Sequence, residues 1–312
     1  MTVWMCSGQG SQKPTMGADF LASAEFAQIK ETFDCASQVL GVDVAALATA
    51  GTQEQVNDAF NAQALTVALS VGIGRELQKR GKQAEAYVGF SLGQVSALAL
   101  SGSLSVEDTF RLLKVRAEAM AACCKEHPGA MYALLGATHE DAEALCAECA
   151  GDEVLAAANF NCPGQVVISG QTQAIERAEA AWKAAGKRGS RLATAGGFHT
   201  PLMAPAAAEV AAFAKTLTFT QPDVPLICNT DASPLSAEVA AEHMGAQIMS
   251  PVHFDTSIAR LIEGGACSFV EVGFGGVLVN LVKRIDRGSE RAKTGTIEEF
   301  NAFLAVGEES DE

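Results

Sequence analysis

Between His127 and Gly196 the chain changes rhythm, and that change constrains its fold more than any other feature. Before it, TVWMC reads as a short strand entering the glycine-rich SGQGSQ. Helical patterns then run to about residue 80, AYVGF reads as a strand and LGQVSALAL as a helix. Ser105 with Asp108 makes an N-terminal cap for a helix expected to reach about Lys125, which His127-Pro128-Gly129 stops. Next come GAMYALLG (strand), THEDAEALCAECAG (helix opened by Thr138), VLAAANF and QVVISG (strands), QTQAIERAEAAWKAAG (helix) and RGSRLATA (strand). The order βαββαβ is the split-βαβ, ferredoxin-like arrangement, which closes as a small domain of its own. The expectation is an α/β chain in two parts: residues 1–127 and 197–312 form a large domain, and residues 128–196 a small domain inserted into it. Within the C-terminal part, VPLICNTDA and CSFVEVG read as strands that end where polar or glycine residues begin, as in a covered parallel sheet. A short acidic tail, GEESDE, follows.

Acids outnumber bases 37 to 22 for a formal net charge of −15, which argues against nucleic acid as a partner. No apolar run approaches membrane-spanning length, and MTVWMCSGQG carries neither a basic n-region nor a cleavage site; the expectation is a cytoplasmic monomer with no membrane partner. Nine scattered cysteines fit a reducing compartment. Cys146 and Cys149 make one C-x-x-C, but without a second pair at metal-site spacing they read as two small core side chains, so no metal is expected.

The chemistry centres on VGFSLGQVSA, residues 88–97. Gly-x-Ser-x-Gly between a strand and a helix is the nucleophile-elbow pattern, although glycine and serine are also ordinary turn residues. A helix starting after Ser91 aims free backbone N–H groups, among them that of Leu92, at anything bonded to the serine. A nucleophilic serine needs a base, and there are five histidines. His127, His139 and His243 sit in polar surroundings and read as surface residues. His199, in the glycine-rich GGFHTP where the two parts rejoin, is the leading candidate, with His253 in SPVHFD as runner-up. On the helix of residues 110–120, Arg116 falls on the apolar side with Phe110, Leu112, Leu113, Ala117 and Met120. An inward guanidinium requires a carboxylate or phosphate, supplied either by a protein acid or by a ligand.

Together these segments resemble the malonyl-CoA:acyl-carrier-protein transacylases of fatty acid synthesis and the related polyketide acyltransferases. SGQGSQ, GFSLGQVSAL, VRAEAM, NFNCPGQVVISG, GGFHTPLM, NTDASP, SPVHF and EVGFGGVLVNLVKR are similar to family segments and follow the family's order. The resemblance implies an α/β-hydrolase-like large domain with a ferredoxin-like insertion. It implies Ser91 as the acylated nucleophile, His199 as its base, the backbone amides of Gln9 and Leu92 as an oxyanion hole, and Arg116 as the anchor of the malonyl carboxylate. It further implies that Asn229 and the backbone near His253 orient the imidazole, and that Phe198 favours malonyl over methylmalonyl. Malonyl-CoA is the implied substrate, an acyl carrier protein the implied partner, and no tightly bound cofactor is implied. Three positions depart from the family: Phe90 where histidine is usual, Ser7 where proline is usual, and His253 where glutamine or arginine is usual.

A serine–histidine dyad suffices for this chemistry, because a thioester expels a thiol of pKa about 8.5 with little protonation. The rival readings are a serine hydrolase or thioesterase using water as acceptor, a non-catalytic carrier-binding scaffold, and an acyltransferase of a polyketide or malonate decarboxylase pathway. Since screening acts over about 8 Å at physiological salt, local basic patches count for more than the total charge. Two clusters are expected to flank the cleft and dock CoA and carrier: Lys183, Lys187, Arg188 and Arg191, and Lys283, Arg284, Arg287, Arg291 and Lys293.

Overall fold

The computed structural model describes residues 1–194 and 196–306. Ala195, at the end of the expected strand RGSRLATA, and the tail GEESDE lie outside the described residues. In chain order the strands are β1 (Thr2–Cys6), β2 (Ala86–Gly89), β3 (Gly129–Leu135), β4 (Leu155–Cys162), β5 (Gln165–Gln171), β6 (Arg188–Arg191), β7 (Leu226–Ile227), β8 (Val252–His253), β9 (Ser268–Val272) and β10 (Glu290–Lys293). They form two sheets, β10-β9-β1-β2-β7 and β6-β3-β5-β4-β8.

The first sheet is wholly parallel. Its central strand shows why: Trp4 and Cys6 enter a core beneath helices Ala59–Lys79 and Val106–Glu126, while Val3 and Met5 enter another with Phe254, Ile258 and Leu281. A strand apolar on both faces needs helices on both faces, as parallel sheets have. Cys6 lies opposite both Gly89 and Val272, so three loops leave the same edge side by side: residues 7–12, 90–92 and 273–276. That carboxyl edge is where open α/β sheets carry their sites.

The second sheet has one face on helices His139–Cys149 and Thr172–Ala184, through Tyr132, Leu134, Val166, Ile168 and Trp182. Its other face, with Met131, Ala133 and Val167, packs against Phe198. Cys146 and Cys149 are buried in the first of these cores, and no group of three or more metal-ligating side chains gathers among the described residues. Also among those residues, no single helix is long and apolar enough to cross a membrane.

Four details differ from the sequence reading. β8, from far along the chain, pairs parallel to β4 at Asn159↔Val252 and Phe160↔His253, so the second sheet gains a fifth strand beyond βαββαβ. RGSRLATA is a strand only through Arg191, after which Leu192 N–H bonds the Met131 carbonyl at 3.0 Å and Thr194 N–H folds back onto the Leu192 carbonyl at 2.9 Å. VPLICNTDA is a strand for two residues, because the Cys228 amide turns to the Ser233 carbonyl at 2.8 Å. The charged edge strand β10 carries no apolar alternation to announce it.

Candidate active site

Ser91 stands at the tip between β2 and helix Gly93–Leu100 with φ of 50°, a left-handed state unfavourable for any side-chain-bearing residue. The flanking glycines explain how it is held. A Cβ on Gly93 would lie 2.0 Å from the Cys6 carbonyl oxygen, and one on Gly89 2.0 Å from the Gln94 nitrogen. Only bare backbone lets the turn press this closely on β1 and on its own helix.

Ser91 Oγ lies 2.7 Å from His199 Nε2. His199 is itself at φ 61° and 4% exposed, with its amide donating to the Ile248 carbonyl at 3.1 Å. The Nδ1 of its ring lies 3.0 Å from the Gln247 carbonyl and 3.1 Å from that of Ser250. Carbonyls only accept, so Nδ1 carries the proton and Nε2 presents its lone pair to the serine hydroxyl. Burial, followed by the positive charge of Arg116, pulls the histidine pKa down to about 4. The ring is therefore neutral at neutral pH and able to accept a proton.

Arg116, on helix Val106–Glu126, is 3% exposed. Its Nη1 donates to Gln63 Oε1, its Nε has no partner, and no carboxylate lies within 4.0 Å of it among the described residues. Burial pulls its pKa down to about 10, which leaves it charged at neutral pH. Of the two partners that the sequence left open, a protein acid is absent among the described residues. The guanidinium instead faces a cavity of about 130 Å³ that it shares with Ser91, His199, Gln9, Leu92 and Phe198. Neither the Gln9 nor the Leu92 amide has an acceptor among the described residues.

The Ser250 carbonyl on Nδ1 belongs to the backbone near His253, whereas the side chains of Asn229 and His253 stand elsewhere. Asn229 is fully buried, but it donates to the Gly89 carbonyl at 2.6 Å and accepts from Gln247 Nε2 at 3.0 Å, reaching His199 only through Gln247. His253 stacks its ring on Phe160 at 5.0 Å, and its amide donates to the Asn229 carbonyl at 2.8 Å. Among the described residues no hydrogen bond joins it to His199, and β8 places it in the second sheet. Gln247 takes the orienting place: its carbonyl holds Nδ1 and its side-chain amide donates to the Ser91 carbonyl at 2.7 Å. The sequence reading missed Gln247 and Gln63. Both are polar residues on buried helix faces, the signal that singled out Arg116.

His127 is exposed as expected, whereas His139 and His243 are half-buried. His139 Nε2 meets Asp255 Oδ2 at 2.6 Å, and burial lowers the His243 pKa. The first basic cluster is largely paired with acids: Lys183 and Arg191 with Glu179, and Lys187 with Asp141. In the second, Lys293 pairs with Glu299. Arg284 lines a neighbouring cavity of about 310 Å³, and Lys283, Arg284 and Arg287 have no carboxylate within 4.0 Å among the described residues.

The family described as "Acyl transferase domain" matches residues 3–297. The chain belongs to that acyl transferase family. Among its relatives, the malonyl CoA-acyl carrier protein transacylase of Escherichia coli K12 is 38% identical over 281 residues, covering 89% of this chain and 90% of the relative. The Bacillus subtilis strain 168 protein of the same name is 35% identical over 288 residues, covering 90% and 89%. A malonyl-transacylase solved in complex with its type II PKS acyl-carrier protein superposes with a TM-score of 0.94 at 34% identity, covering 98% of this chain and 99% of that one. The Streptococcus pneumoniae MCAT gives 0.92 at 35%, covering 98% and 100%. The chain thus has the two-domain acyl transferase fold.

Two of the departures from the family pattern have clear surroundings. Ser7 Oγ donates to the buried Glu271 at 3.4 Å, whose carboxylate accepts the Gly276 and Val279 amides at the start of helix Val277–Ile285. Phe90 packs edge-on against Phe254, with ring centroids 5.4 Å apart.

Proposed function

We propose that the protein is an [acyl-carrier-protein] S-malonyltransferase that moves malonyl from malonyl-CoA to the phosphopantetheine thiol of an acyl carrier protein, in fatty acid biosynthesis. The observation that carries this reading is a buried guanidinium with no acid partner among the described residues, facing the cavity of a hydrogen-bonded serine–histidine pair. His199 Nε2 takes the Ser91 proton as Oγ attacks the thioester carbonyl, and the Gln9 and Leu92 amides receive the oxyanion. The C–S bond breaks, and the CoA sulfur leaves with the proton from Nε2. The carrier thiol then gives its proton to Nε2 and its sulfur attacks the ester. The C–O bond breaks, and Oγ regains the proton. Arg116 holds the carboxylate through both halves, and Phe198 bounds the space beside it.

The smaller domain, 128–196, contributes Met131, Asn159 and Leu192 to the cavity, and the larger one, 1–127 with 197–312, contributes the reacting groups. Lys283, Arg284 and Arg287, with no carboxylate partner among the described residues, give an acidic carrier a complementary edge. Nine free cysteines fit work in the reducing cytoplasm.

The test is malonyl-CoA against acetyl-CoA on the natural chain and on Arg116→Ala, read as mass gain on Ser91 and as transfer to holo-carrier. An acyl group without a carboxylate leaves Arg116 unpaired, so the substitution should lower the malonyl preference by about 2 orders of magnitude. An unchanged preference removes Arg116 as the anchor. Free malonate forming faster without carrier than transfer with it makes the protein a hydrolase.

A further inference from the structure

An acyl-enzyme of this kind must survive until its carrier arrives, and the residue before the nucleophile bears on that survival. Phe90 lines three cavities, of about 130, 440 and 310 Å³, the smallest of which also holds Ser91. Its ring is fixed. On one side it meets the fully buried Phe254, and on the other a Cβ on Gly8 would come within 2.8 Å of its Cδ1, so the residue 7–12 loop lies directly against it. Hydrolysis would require a water that donates to His199 Nε2 and is held by at least one further polar group at the approach to the ester. An ordered water needs 2–4 polar partners; Gln9, Gln12, Asn159 and Thr194 line other parts of the smallest cavity, but the Phe90 side supplies none. The carrier thiol is delivered by its tether and does not depend on a hydrogen bond from that wall.

Resting on the malonyl-serine chemistry proposed above, we infer that Phe90 is a specificity-determining residue for the acceptor: it denies water a foothold beside malonyl-Ser91 and so reserves the ester for a thiol. A polar side chain here offers water the partner that phenylalanine withholds.

The test isolates the malonyl-enzyme from the natural chain, Phe90→His, Phe90→Asn and Phe90→Leu. Each is desalted, and adduct loss is followed by intact mass in buffer alone and with holo-carrier. The ratio of buffer decay to carrier transfer should rise about tenfold in the His and Asn variants, the equivalent of one hydrogen bond to the attacking water, and stay within about twofold in Leu. Uptake of malonyl certifies a folded site, and two polar variants guard against one misfolding. An unchanged ratio in both polar variants overturns the inference. So does an equal rise in Leu, which would make lost volume the cause, or failure of both polar variants to accept malonyl when Leu does. Absence of adduct on the natural chain would instead sink the malonyl-transfer reading itself.

Discussion

Ser91 and His199 share an uncommon backbone state, with φ of 50° and 61°, but the chain holds them there by different means. The serine is held by local sterics: two glycines within two residues of it let strand, turn and helix press together against Cys6. The histidine is held from a distance, its amide and ring bonded to carbonyls of Gln247, Ile248 and Ser250 some fifty residues on. Each left-handed residue costs about 1–2 kcal/mol, so each site needs surroundings that outweigh that cost. A constraint built from neighbours leaves a motif, and one built from remote partners leaves almost none.

The comparison breaks most sharply at Gly93. Gly93→Ala places a methyl group 2.0 Å from the Cys6 oxygen, which neither backbone can relieve. The expected loss is about 3 kcal/mol of stability, read from the urea midpoint, together with loss of malonyl uptake. A midpoint close to that of the natural chain would show the elbow is not sterically set. Gln247→Ala probes the remote frame. It keeps the carbonyl on Nδ1 but strips the donor from the Ser91 carbonyl and from Asn229. We expect about 1–3 kcal/mol of lost stability and a kcat lower by about 10–100-fold with KM for malonyl-CoA unchanged. A fall in KM affinity alone would assign Gln247 to substrate binding.

A smaller effect concerns pH. With its pKa depressed from 6.5 to about 4, His199 stays unprotonated until the pH falls toward 4, so kcat/KM should hold through pH 6.5 and decline only near the lower value. Arg116→Gln removes one of the two causes, the nearby positive charge, and should move that acid limb upward. A limb already at 6.5 in the natural chain would mean the ring is more hydrated than its burial implies. The smallest change is expected from His253→Phe, which keeps a ring on Phe160. Its kcat should stay within about twofold, as for a substitution away from the reacting groups. A tenfold loss would return His253 to the frame around His199.

The difference in means also explains what the sequence revealed. Ser91 was legible because its glycines are adjacent, and Arg116 because a charge on an apolar helix face stands out. His199 was legible through its glycine-rich loop and through the resemblance, which also pointed to the SPVHF backbone that Ser250 opens, but Gln247 was not, since it sits near an unremarkable helix end. The parallel sheet was announced by VPLICNTDA and CSFVEVG, strands that end where polar or glycine residues begin, and the second sheet by its change of rhythm. β7 was read, though over too many residues, whereas β8 is too short for any periodicity and β10 is too charged. Lys183 pairs with Glu179 at i,i+4 on its own helix, but the pairing of Lys187 and Arg191 with acids was invisible because their partners meet them only in the fold.

The two-residue strand β8 bears on how the molecule is made. During synthesis, residues 128–196 emerge with every strand of the second sheet except its last edge, which appears only when Val252 and His253 leave the ribosome. The same segment brings the amide that holds the Asn229 carbonyl. Sheet completion and anchoring of the catalytic frame thus finish in one late step, and a nascent chain halted before residue 252 possesses neither.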